Sequence, residues 1–410
     1  MSPPRYDVAV VGAGMVGATL ACLLSRGGFS VALIEAAEPR AFDKSGDVGL
    51  RVSAISPGSG AVLEQAGAWR LVEAQRHRAY RRMRVEDGAQ GEPLLFDAPA
   101  FNLERLGTIV ENDLVQWSLW QVLTSAALVD LYCPDRLQSL ECPAHGARIV
   151  LHSGKALSAA LVVGADGAAS SVRRQVGIGQ EHLAYNQHAL VAVIGKQQAN
   201  PGVAWQRFMP GGPLAFLPLA NGRSSIVWTR PTAEARRLVA LDAAAFTAEL
   251  QRASTGWLGQ VTQCGPRAAF PLAMRLSERY VSHRVALLGD AAHAVHPLAG
   301  QGVNLGLADV AGLAEHLIGA RHEGADIGGS RVLEAYDRWR RSESETMAFG
   351  MHAIRSLFGI DELEPLRRVG LAVVRRSWAL QDLFIRRAIG MAGNAPRLAR
   401  GETLNDLLRN

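Results

Sequence analysis

A chain of 410 residues and 43.9 kDa, 48% hydrophobic and 20% charged, exceeds one ordinary hydrophobic core and is too apolar for a disordered segment. Its formal net charge of +5, carried mainly by arginine, suits an anionic cofactor, an acidic membrane surface or nucleic acid alike. Cys22, Cys133, Cys142 and Cys264 form no C-x-x-C pair, which excludes a dithiol redox centre and structural zinc, and no run of about 18 apolar residues marks a membrane span.

The opening MSPPRYD has no basic cluster ahead of its apolar run, so no export signal is expected and a cytoplasmic protein is. Tyr6 to Val11 reads as a strand, Met15 to Arg26 as a helix and Ser30 to Ile34 as a second strand ending at Glu35. The 35 residues therefore make a β-α-β unit. Charged and Gly/Pro-containing pieces at 75–100 suggest an inserted hairpin or loop, and helical periodicity resumes at 112–128. Short β-type runs at 189–194, 214–219 and 224–229, with a helix at 242–253, predict a second, sheet-based domain. A strand, a glycine-interrupted loop and a long helix from about Gly302 follow over 284–317, and the chain beyond Ser330 is helical. Its paired arginines punctuating apolar runs fit either a solvated face packed on the body or a helix docking on a membrane surface or partner.

Gly12, Gly14 and Gly17 in VVGAGMVGATLA carry the strongest signal. Placed between strand and helix, they allow a tight turn, the approach of a pyrophosphate, and close packing of helix on sheet. The pyrophosphate would lie at the helix N-terminus, where unpaired N–H groups favour negative charge, and Glu35 would accept from ribose hydroxyls. Only one such fingerprint is present, so a nicotinamide would dock transiently.

VVGADGAASSVRR (162–174) and VALLGDAAHAVHPLAGQGVNLGLADV (285–310), taken with the glycine turn, resemble the three motifs of the single-component FAD-dependent aromatic hydroxylases, the class A flavoprotein monooxygenases that include para-hydroxybenzoate hydroxylase. The segments at 51–69, 107–120 and 212–219 are similar to the hydroxylases of ubiquinone biosynthesis. The resemblance implies an α/β fold with a Rossmann-like FAD-binding domain of the para-hydroxybenzoate hydroxylase type (1–75, 101–180 and 276–330), a β-sheet substrate domain (76–100 and 181–275) and a C-terminal helical region (331–410). It implies that FAD is held by Gly12, Gly14, Gly17, Glu35, Arg51, Asn112, Asp166, Gly167, Gly289, Asp290, Gly300, Gln301, Gly302 and Asn304, with the helix after Gln301 aiming its N-terminus at the flavin.

The activity so implied is reduction of FAD by NADH or NADPH, reaction with dioxygen to a flavin hydroperoxide, and hydroxylation of a polyprenylated phenol or benzoquinol. Implied too are partners in a ubiquinone-biosynthesis complex and peripheral contact with the inner membrane; nucleic acid is not expected. A hydroxylase of a small soluble aromatic acid and a non-catalytic flavoprotein scaffold stay open as alternatives. His293 and Pro297 are the candidates near the chemistry, His293 either as a loop residue or in proton transfer. H-x-x-H at His293 and His296 lacks a downstream ligand, so no metal is expected. Trp205, Phe208, Trp228 and Phe270 read mainly as core, and Phe216, Leu217 and Pro218 are the tentative substrate wall.

Overall fold

A computed structural model describes residues 3–88, 92–295 and 302–409. Strand Arg5–Val11 lies at the centre of a parallel array, between Val31–Ile34 and Ala156–Gly164. Val129–Tyr132 extends the array on one side and Val285–Leu287 on the other, both in parallel. Helices Met15–Arg26, Asn112–Thr124 and Gly302–His322 pack over this sheet, which is why its strands read as continuous apolar runs. Because all five strands run the same way, the chain leaves Val11, Ile34, Gly164 and Leu287 at one edge. That carboxyl edge is where an open α/β sheet takes its ligand.

The second sheet has eight strands and is antiparallel except where Arg82–Asp87 runs beside Val203–Phe208. Arg82–Asp87 and Leu94–Asp97 pair antiparallel, so the insertion is indeed a hairpin. Two strands, Gln180–Lys196 and Val261–Ser277, are each 17 residues long; the first reaches well past the run foreseen at 189–194, and the second covers a stretch for which no run was named. The helix foreseen at 242–253 is Ala243–Ala253, its N-terminus capped by the Asp242 carboxylate, and a further helix, Thr232–Ala240, precedes it. One face of the sheet packs Leu190, Trp205, Phe216 and Trp228 against Phe246 and Leu250 of Ala243–Ala253. The opposite face, with Ala189, Val193, Leu217 and Leu272, is turned toward the first domain.

The C-terminal region is helical, as expected: Ser330–Gly359, Glu364–Arg376, Trp378–Ala388 and Leu404–Arg409. Residues 397–400 lie against Gly302–His322, where the Leu398 N–H donates to Glu315 Oε1 at 3.2 Å. Burial pushes the Glu315 carboxyl up to about 7, against the pull of the Leu398 and Arg397 backbone groups and the Arg397 and Arg400 charges. An acid raised in the folded state holds its proton there first, so this group removes stability as pH rises from about 4.5 to about 7. Glu315→Gln should therefore melt higher than the parent above that interval and equally below it, in thermal unfolding followed across pH.

Candidate active site

The carboxyl edge gathers residues that are far apart in the chain. The Gly12 N–H donates to Ile34 O at 2.8 Å, the Ala165 N–H to Val11 O at 2.8 Å, and the Leu288 N–H to Gly164 O at 3.0 Å. These bonds stitch the glycine turn, the Asp166–Gly167 loop and the Gly289–Asp290 turn side by side. Glu35 accepts from the Ala13 N–H through Oε2 at 2.6 Å and from the Ala36 N–H through Oε1 at 2.7 Å, so its carboxylate braces the glycine turn from the next strand.

The turn fits a dinucleotide. Gly12 has φ +103°, and a Cβ there would lie 2.5 Å from Ala165 O; a Cβ on Gly17 would lie 2.0 Å from Gly12 O. Both positions are closed by protein backbone. A Cβ on Gly14 would meet nothing within 4 Å, so its side of the turn is open, as an approaching pyrophosphate requires. Asp166 Oδ2 accepts from the Ser171 N–H and hydroxyl at 2.6 and 2.8 Å, whereas its buried Oδ1 has no partner among the described residues. Asp290 is exposed in the turn Gly289–Ala291 and makes no side-chain bond among the described residues, which leaves its carboxylate available to hydroxyls of a bound chain.

Arg173 and Asp309 reinforce this edge. Arg173 donates to Ala291 O at 2.9 Å and Ala168 O at 3.0 Å, tying the two loops together. Asp309, fully buried on Gly302–His322, accepts from the Gly289 N–H at 3.1 Å, from His293 Nε2 at 2.6 Å and from Arg340 Nε at 3.0 Å. Arg340 stands on Ser330–Gly359, so a C-terminal helix holds the Gly289–Asp290 turn in place. Burial pushes the Asp309 carboxyl up, but the His293 and Arg340 charges outweigh it and hold it below the ordinary carboxylate range.

Arg51 leads into strand Val52–Ile55, and the loop before it is held by Glu111, which accepts from the Gly49 N–H at 2.6 Å and from Arg76 Nε at 2.6 Å. The Arg51 guanidinium lies 5.9 Å from the centre of the Phe270 ring, on the second sheet. Phe270 pairs directly with Ala189 and so shares the face turned to the first domain, where its ring is 41% exposed. The exposed ring and the guanidinium meet where the two domains face each other.

Residues 5–348 match a family described as FAD binding domain. The chain is 40% identical over 405 residues to the ubiquinone hydroxylase UbiL of Rhodospirillum rubrum, covering 97% of this chain and 93% of that one. It is 37% identical over 394 residues to the 3-demethoxyubiquinol 3-hydroxylase of Escherichia coli, covering 95% and 100%. The chain belongs to the FAD-dependent hydroxylases of ubiquinone biosynthesis. Its fold agrees: a probable FAD-dependent monooxygenase of Pseudomonas aeruginosa, PqsL, superimposes with a TM-score of 0.76 at 26% identity, over 90% of this chain and all of that one (100%).

In this hydroxylase the glycine turn, Glu35, Asp166, Gly167, Gly289 and Asp290 come together, and Gly302 opens the helix as foreseen. Gly300, Gln301, His296 and Pro297 lie outside the described residues. Asn304 spends its side chain on the fold: Oδ1 accepts from the Ser56 N–H at 3.0 Å and Nδ2 donates to Ala54 O at 2.9 Å. Asn112 begins a helix and accepts from the Ser53 hydroxyl at 2.7 Å, one strand away from Arg51. His293 is buried on Asp309, the geometry of a residue that positions the loop.

The tentative substrate wall divides. Leu217 faces the first domain beside Val52 and Ala54, but Phe216 points the other way, packed on Trp205 with ring centres 5.1 Å apart, and Pro218 has the same parity. The sequence motifs assign no role to Arg173, Asp309 and Arg340. Their only sequence signal is a charge set among apolar residues, as in GLADV, where a carboxylate occupies an inward helical position.

Proposed function

We propose that this hydroxylase acts on a polyprenylated phenol or benzoquinol, held in the cleft between the carboxyl edge and the inner face of the second sheet, with NADH or NADPH as transient reductant and dioxygen as co-substrate. The names of its relatives support the pathway, and the observation that carries the substrate class is the exposed Phe270 ring on an otherwise apolar face with Ala189, Val193, Leu217 and Leu272. FAD, when bound, takes up hydride and activates dioxygen for transfer of hydroxyl to an electron-rich ring carbon.

The chain's own residues do the rest. The open side of Gly14 receives the pyrophosphate, Glu35 and Asp290 accept from hydroxyls, and the first turn of Gly302–His322 offers N–H groups to a developing negative charge. Phe270 stacks the substrate ring, and the apolar face excludes water from it. Assembly with other proteins of the pathway belongs to the same reading.

Arg51 favours a second reading, since a guanidinium over the ring is where the carboxylate of a small aromatic acid would bind. Following NADH and NADPH oxidation with a short-tailed methoxyphenol and, separately, a hydroxybenzoate decides between them. The first reading expects stimulation and hydroxylated product with the methoxyphenol; stimulation by the benzoate alone moves the substrate to the acids. Bound FAD with no stimulation by either leaves the scaffold. Phe270→Ala is expected to raise KM for the phenol about tenfold with unchanged FAD content.

A further inference from the structure

We propose that Arg76 is a positioning residue for the hydroxylation: it holds residues 43–49 as a strap across one end of the substrate cleft, with Val48 as part of the cleft wall. The cleft is that of the preceding reading, on which this inference rests. Residues 35–51 form neither helix nor strand, and an irregular stretch of that length inside a compact domain is uncommon unless it serves a site.

One guanidinium organises the strap. Arg76 Nε donates to Glu111 Oε1 at 2.6 Å, Nη1 to Lys44 O at 3.0 Å and Gly46 O at 2.6 Å, and Nη2 to Asp47 O at 3.0 Å and Glu111 Oε2 at 3.1 Å. Every N–H of the fork is thereby used, and the strap's own carbonyls take the majority of them. Just before the strap, the Phe42 ring lies with its centre 5.0 Å from the same guanidinium. Glu111 is buried, and its Oε2 also takes the Gly49 N–H at 2.6 Å, so both ends of the strap are tied to one ion pair.

The strap reaches the second domain. Val48 packs on the apolar cluster of Ala54, Ile109, Val193 and Leu219, which Leu217 joins from the second sheet. The Asp47 carboxylate lies 3.6 Å from Arg223 Nη2, in the turn between Leu214–Pro218 and Ser224–Pro231. Val193 and Leu217 stand on the face given to the substrate, so Val48 closes that face from the side of the first domain. Arg51 follows Gly49 by two residues, and the same ties therefore set where its guanidinium stands over Phe270. The carbonyls of Lys44 and Asp47 are at the surface, where water can replace the arginine as their donor. The fold does not need these bonds; the placement of Val48 does. Lysine cannot take over, because a single ammonium beside Glu111 lacks the planar fork that serves carboxylate and carbonyls together.

The test uses the full-length, FAD-loaded protein, with limited tryptic digestion beside steady-state turnover of a short-tailed methoxyphenol. Lys44 is exposed in the strap and its carbonyl is held by Arg76. In Arg76→Lys, cleavage after Lys44 is expected to be about tenfold faster or more, at the parent's FAD content. KM for the phenol should rise about tenfold with kcat changed less, and a larger share of the oxidised nicotinamide should appear as hydrogen peroxide, because water enters the cleft. Val48→Ser keeps the staple and should raise KM and peroxide without faster cleavage, a split that general loosening of the fold does not produce. Cleavage after Lys44 at the parent's rate in Arg76→Lys overturns the proposal, and so does an unchanged KM and peroxide share in Val48→Ser. Loss of FAD or a lowered melting temperature in Arg76→Lys, with Val48→Ser unaltered, assigns Arg76 to the fold alone. A parent that no phenol stimulates removes the substrate reading itself, a result distinct from a stimulated parent with unaltered variants, which removes only the strap.

Discussion

Asp309→Asn is expected to lower the unfolding free energy by about 3–5 kcal/mol and to weaken FAD retention, because it leaves the buried Arg340 guanidinium without its carboxylate and loosens the hold on the Gly289 N–H. Denaturant unfolding and flavin absorbance after gel filtration measure the two effects. The pair should behave as a unit. Removing both charges, Asp309→Asn with Arg340→Met, is expected to cost less than the sum of the single changes, since no buried charge is then stranded. The pH dependence follows from the direction of the shift. A carboxyl held below its unfolded value adds stability that is complete above the ordinary carboxylate range and is lost as pH falls through the folded value, below about 4. The acid limb of the parent's stability curve should therefore be shallower in Asp309→Asn. An Asn variant as stable as the parent, with full flavin, would remove the clamp from the site.

Gly17→Ala and Gly14→Ala are expected to separate fold from ligand. The first sets a methyl 2.0 Å from Gly12 O and 2.9 Å from the Ala165 Cβ, so backbone has to move, and both stability and FAD content should fall, the former by about 1–3 kcal/mol or more. The second places its methyl in space free of protein for 4 Å, so unfolding of the apoprotein should match the parent while FAD affinity drops about tenfold or more. FAD titration of the apoproteins, with thermal unfolding alongside, reads both. Unchanged affinity in Gly14→Ala would mean that the pyrophosphate takes another path.

What could be read along the chain follows from how local each signal is. Met15–Arg26 is the helix foreseen residue for residue, because glycines, apolar period and flanking strands all lie within one short β-α-β unit. The second sheet was legible in kind but not in extent. Residues 180–184 at the start of Gln180–Lys196 are mostly exposed and polar, and their strand state is imposed by pairing with 273–277, far along the chain. The facing of AFLPL was not legible at all. With helices covering one side of that sheet and the first domain the other, both faces are apolar and alternation carries no sign, so Phe216 and Leu217 could not be told apart. The Asp309 clamp is hidden for a different reason: its partners are 16, 20 and 31 residues away and meet only when two helices and a turn are assembled.

That clamp also sets an order of events during synthesis. The glycine turn is complete once the first two strands and their helix have emerged, yet the Gly289–Asp290 turn is held by a side chain from residue 340. A nascent chain that stops short of Arg340 has a cradle for the pyrophosphate but no lock on the last loop, so firm capture of FAD falls near the end of translation. Scarcity of the cofactor would then be felt by chains already almost finished, which must wait for it or be degraded at nearly full cost to the cell.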